Sequence, residues 1–172
     1  MGLKTRITTA SEKTRQLLEQ LSFLAPLATR IVIGLAFIHT GLGKWRFFER
    51  TIGYFDSLGI PFPAFNAALV ASMELVGGAF LVAGLLTRFM ASGLATTMIV
   101  ALATADTGAF LSSWKSSSEI SPTDVTSFTF LLFLLWLIFK GPGAVSLDAL
   151  LARFLGIGRV RSPARGAVAL EA

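Results

Sequence analysis

The chain has 172 residues, of which 53% are hydrophobic and 15% charged, and it carries a formal charge of +5. A mean hydropathy of +0.71 excludes a soluble domain and indicates an integral membrane protein. The basic excess lacks the solvated face with interleaved aromatics that nucleic acid requires, so it bears on membrane orientation. With no cysteine and one histidine, disulfides, thiol redox chemistry, iron–sulfur clusters and bis-histidine haem are excluded within this chain, and the four scattered methionines make no convincing metal site. Any electron carrier beyond a diffusible quinone has to sit on a partner.

Residues 1–22 contain Lys4, Arg6, Lys13 and Arg15, with Thr9 and Glu12 spaced as a capping box before Leu17, Leu18 and Leu21. This predicts a short amphipathic segment at the cytoplasmic interface. The apolar run behind it continues at spanning length, unlike a cleavable signal, so the N-terminus is expected to stay attached. A first span is predicted over about 23–42. Lys44, Trp45 and Arg46 follow it, then Phe47, Phe48, Tyr54 and Phe55, as in an interfacial helix with an aromatic belt. Gly59, Pro61 and Pro63 end that helix. A second span is predicted over about 66–86, apolar throughout except for Glu74.

After a short turn at Thr87 and Arg88, a third span is predicted over about 89–111. A polar loop leads to Ser121-Pro122-Thr123-Asp124, which reads as a helix start for a fourth span over about 122–140. Gly141, Pro142 and Gly143 stop it. Residues 141–172 are then a surface helix behind Ser146 and a basic tail with Arg159, Arg161 and Arg165. The expected fold is an all-α integral membrane protein, a four-transmembrane-helix bundle over 23–140 with short interfacial helices. Basic segments at both ends place both termini in the cytoplasm of a bacterial-type inner membrane, although Lys44, Arg46 and Arg50 load the first outer loop as well.

Helical phase sorts the polar groups. Arg30, Gly34, Phe37, Gly41 and Lys44 lie on one stripe of the first helix, and His39 lies on the opposite face. Arg30 is in the inner half, where its side chain could snorkel to the cytoplasmic surface. Ala67, Val70, Ala71, Glu74, Gly77, Gly78, Leu81 and Arg88 share a small-residue face that points Glu74 into the bundle. At 1.5 Å per residue, Glu74 is roughly 12 Å and Asp106 roughly 8 Å below the outer edge, in the same half as Lys44. An intramembrane carboxylate is either a functional acid or base, or a core group paired with Lys44 or another polar group. Lys44, Trp45 and Arg46 read either as an anion- or quinone-binding group or as ordinary interfacial anchors.

These residues also carry a resemblance. Gly34-x-x-Phe37-x-x-x-Gly41-x-x-Lys44, Leu58-Gly59-Ile60-Pro61-x-Pro63, Glu74-Leu75-x-Gly77-Gly78 and Gly84-Leu85-x-Thr87-Arg88 resemble the DoxX family of small membrane proteins. Gly141-Pro142-Gly143 with Ser146-Leu147-Asp148 extend the likeness to about residue 150. The family is related to the thiosulfate:quinone oxidoreductase small subunit. The resemblance implies a membrane subunit of a quinone-linked oxidoreductase complex, and depth and helical phase make Glu74 and Asp106 its candidate catalytic carboxylates and Lys44, Arg46 and Trp45 its candidate quinone-binding group. The alternative is a non-catalytic accessory or scaffold subunit of a larger membrane protein complex. Either way the expected partners are the lipid bilayer and that complex, with no haem, iron–sulfur or metal site in this chain.

Overall fold

The computed structural model describes Arg15, residues 21–115 and residues 118–155. The predicted N-terminal amphipathic segment, apart from Arg15, Leu21 and Ser22, and the tail arginines lie outside them. Within the described residues every regular element is helical: α1 Leu24–Arg46, α2 Phe48–Ser57, α3 Pro63–Ala83, α4 Thr87–Ala103, α5 Thr107–Ser113, α6 Thr126–Lys140 and α7 Leu147–Phe154, with a 3₁₀ turn at Pro122–Asp124.

Local chemistry sets the boundaries. Pro26 is tolerated in α1 because the first turn has no intrahelical acceptor for its missing N–H. Phe47 leaves helical geometry at φ −116° and ψ 47°, which separates α1 from α2. Pro63 opens α3 at its first position. Gly84, at φ 69°, closes α3 in the left-handed conformation that glycine adopts without a Cβ penalty. Ser146 caps α7 by accepting from the Ala149 N–H.

The four-span expectation is corrected. Two helices, α1 with 23 residues and α3 with 21, are long and apolar enough to cross a membrane; a third crossing arises only if α4 and α5 are one span bent by 80°. The predicted span over 89–111 breaks at residues 104–106, where the Thr104 and Asp106 N–H groups both donate to the Ala101 carbonyl and the regular ladder stops. Thr104 Oγ1 donates to the Val100 carbonyl and Thr107 Oγ1 to the Leu102 carbonyl. The predicted span over 122–140 shortens as well. The Asp124 carboxylate accepts from the Ser121 N–H at 2.7 Å and holds a separate turn, after which Val125 is extended. What remains is α6, with 15 residues, roughly 22 Å against the about 30 Å of a hydrocarbon core.

The helices pack as two principal pairs, α1 on α3 and α4 on α6. The first pair is antiparallel and joined through small residues. A methyl group at Gly34 would lie 2.8 Å from the Gly78 carbonyl oxygen, and one at Gly41 would lie 2.6 Å from the Leu75 nitrogen. Only glycine admits such backbone approach. The face read from the sequence of α3 is the buried one: Ala67, Ala71, Glu74, Gly77, Gly78 and Leu81 are buried, while Arg88 beyond it is exposed. The second pair is joined through large side chains. Leu94, Leu134 and Leu137 are fully buried in a core shared with Ile33, Phe37 and Leu81. Phe37 bridges the pairs, edge-on to Phe130 at 5.4 Å between ring centroids.

Candidate functional site

The close approach of α1 and α3 brings two charges together. Lys44 is in the last turn of α1, and its Nζ donates to Glu74 Oε2 at 2.5 Å. Glu74 is 3% exposed, whereas the Lys44 side chain keeps 26% of its surface open. The ammonium thus stands between the buried carboxylate and the surroundings. Removing one partner of such a pair leaves a desolvated charge, which costs far more than the pair contributes.

The other residues singled out by the sequence are placed differently. Asp106 precedes α5 at the bend, and its Oδ2 accepts from Ser127 Oγ of α6 at 2.5 Å. It joins α6 to the bend and takes no part in the Lys44–Glu74 ion pair. Trp45 is 43% exposed and stacks on Phe48 at 5.0 Å. The guanidinium groups of Arg46 and Arg50 both lie over the Phe47 ring, at 5.7 Å and 5.3 Å. Trp45 and Arg46 therefore belong to an exposed aromatic and cationic cluster at the junction of α1 and α2, next to Lys44 in sequence. His39 is exposed, on the face opposite the stripe.

An apolar cavity of about 390 Å³ lies between α2, α3 and α4. Tyr54, Phe55, Val70, Met73, Thr97 and Val100 are among its walls. Met73 is the neighbour of Glu74 on α3, so cavity and ion pair occupy adjacent faces of one helix turn. Among the described residues no group of three or more His, Asp or Glu side chains is arranged to hold a metal ion.

Sequence reasoning understated the opposite end of the bundle. Arg30, expected to snorkel outward, is 1% exposed. Its Nη2 donates to the Val145 carbonyl at 2.5 Å, and its guanidinium rests where a Gly84 side chain would otherwise be. Asp148, noted only as part of a motif, accepts from the Leu86 N–H at 2.8 Å and the Thr87 N–H at 3.0 Å. It thereby stabilises the left-handed conformation of Leu86, φ 48°, at the start of α4. The signal available was the shared phase of Arg30 with Gly34 and Gly41, which already placed it on the packed side.

Comparison with known proteins agrees with the motif pattern. The DoxX family model matches residues 25–107, the segment that contains α1, α2, α3 and α4. The chain belongs to the DoxX family. It is similar to the uncharacterized membrane protein Rv3486 of Mycobacterium tuberculosis, 33% identical over 135 residues that cover 74% of this chain and 81% of the relative. The inner membrane protein YphA of Escherichia coli is 32% identical over 130 residues, covering 71% of this chain and 86% of that protein. "Putative oxidoreductase CatD" of Bacillus subtilis is 37% identical over 81 residues, 47% of this chain and 59% of that protein. No solved structure matches this DoxX protein. Family and composition together make it a membrane protein.

Proposed function

We propose that this DoxX protein is the membrane subunit of a quinone-linked oxidoreductase complex, whose redox centres sit on a partner chain. The observation that carries the reading is the Lys44–Glu74 pair, a part-exposed ammonium in front of a buried carboxylate. CatD, whose name assigns it provisionally to the oxidoreductases, points the same way. A quinone takes up two electrons and two protons to become a quinol. The electrons come from the partner. In this reading the Lys44 ammonium donates a hydrogen bond to a ring carbonyl oxygen, with Trp45 and Arg46 flanking it, and Glu74 is the buried group through which the two protons pass in turn from water. Asp106, bonded to Ser127, is a second carboxylate outside that pair. The apolar cavity beside Met73, on the adjacent face of α3, suits the isoprenoid tail.

The test uses the purified protein with decylubiquinone as probe, read by quenching of tryptophan fluorescence. Binding at least ten-fold weaker in Lys44→Met and Glu74→Gln than in the parent is the expected result. A second reading is an accessory subunit, favoured by the closed, charge-balanced geometry of the pair, which also suits a purely structural role. Unchanged quinone binding in Glu74→Gln, together with its normal assembly into the native complex, would establish that reading and end the first.

A further inference from the structure

The end of the bundle opposite Glu74 holds a cation with no comparable counterion among the described residues. Arg30 emerges from α1 six residues after its start, roughly 9 Å along the helix, and is 1% exposed. Nη2 reaches the Val145 carbonyl. Nε and Nη1 are buried and find no acceptor among the described residues. A guanidinium withdrawn from water with donors unmet is costly, and an arginine inside a membrane segment points to a ligand or a path.

The guanidinium is also part of a cleft. A space of about 590 Å³ opens beside it, bounded by Phe23 just before α1, Leu27 of α1, Val82 of α3, Val145 and Leu150, with Arg153 of α7 exposed on its wall. Apolar side chains and two arginines line the same space. Asp148 attracts Arg30 through space, but both its oxygens already accept from the Leu86 and Thr87 amides. Its charge is thus shared with the positive end of α4, and Arg153 adds a further cation. The local balance favours an anion.

We propose that the Arg30 cleft is a binding site for a phosphate-headed amphiphile of net negative charge, with the phosphate on Arg30 and Arg153 and the acyl part along Phe23, Leu27 and Leu150. Arginine binds phosphate oxygens through charge-assisted hydrogen bonds, and basic pockets between membrane helices hold anionic headgroups in this way. Gly84 is what makes room for the guanidinium, because a Cβ there would fall 1.8 Å from Nη1. The site is separate from the Lys44–Glu74 pair and independent of the quinone reading.

Native mass spectrometry of the detergent-purified full chain tests this, with phosphatidylglycerol, phosphatidylcholine and inorganic phosphate as probes. The expected result is one phosphatidylglycerol per chain, held at least ten-fold more tightly than phosphatidylcholine. Arg30→Gln should weaken it ten-fold or more and Arg153→Gln by a smaller factor, with Arg50→Gln unchanged. Should Arg30→Gln fail to fold, Arg30→Lys keeps the charge without the planar fork and should still lose several-fold in affinity. Displacement of the lipid by inorganic phosphate assigns the site to the free oxyanion, and failure of phosphate to displace it assigns the site to the lipid; both support phosphate recognition. Equal retention of the two lipids, or retention by Arg30→Gln and Arg30→Lys within two-fold of the parent, overturns the proposal.

Discussion

Two cations stand on one stripe of α1, fourteen residues and roughly 21 Å apart, and their surroundings differ. Lys44 meets a full carboxylate from α3 and keeps a quarter of its surface open. Arg30 is enclosed and, among the described residues, meets one carbonyl and has Asp148 only as a shared neighbour. A lysine near a helix end pairs by reaching across a glycine-lined seam. An arginine deeper in the chain needs a glycine to lie against and an anion to complete it. The same helix face thus holds a satisfied charge at one end and an unsatisfied one at the other.

Breaking the satisfied end should have the largest effect. Lys44→Met leaves Glu74 buried and unpaired, with an expected loss of about 3 kcal/mol, read as a lower midpoint of thermal unfolding in detergent. The double variant Lys44→Met/Glu74→Met should recover most of that loss. If the double variant is as unstable as the single one, the pair is not what Lys44 contributes. Next comes the seam that allows the two charges to meet. Gly41→Ala places a methyl group 2.6 Å from the Leu75 nitrogen, so the helices have to separate, at an expected cost of about 2 kcal/mol. Gly43→Ala, with nothing within 4 Å, serves as its control and should leave the midpoint unchanged or slightly raised. The smallest effect belongs to the other end. Asp148→Ala removes the acceptor of the Leu86 and Thr87 amides and should cost about 1 kcal/mol, seen as faster amide exchange at the start of α4. Since it also strips Arg30 of its neighbouring carboxylate, phosphatidylglycerol retention should rise or hold, whereas a fall would show that Asp148 shapes the cleft.

Much of the first pair was legible in residue spacing. Gly34, Gly41 and Lys44 share a phase on α1, and Ala67, Ala71, Glu74, Gly77 and Gly78 share one on α3, because small residues at helical period mark a seam. The break at Thr104 to Asp106 was not legible. The window over 89–111 is apolar on average, and Ser92 and Thr96 make the same hydroxyl bonds to carbonyls four residues back without ending the helix. The break shows only in the backbone, where the Thr104 and Asp106 N–H groups both turn to the Ala101 carbonyl. The same holds for the turn at Pro122–Asp124, where the cap residues were recognised but form a separate 3₁₀ turn ahead of a shorter helix.

Composition and periodicity by themselves determined that this is an all-helical membrane protein with Glu74 turned inward on a small-residue face, while the DoxX family rested on specific motifs. They could do so because hydropathy and helical phase are properties of contiguous residues. Tertiary structure alone decided which charges have partners: Lys44 with Glu74, Asp106 with Ser127, and Arg30 against Val145 and Gly84. Those pairings join residues 21 to 115 positions apart. Phase within one helix indicates which way a side chain faces, and only the packing of helices indicates what it meets.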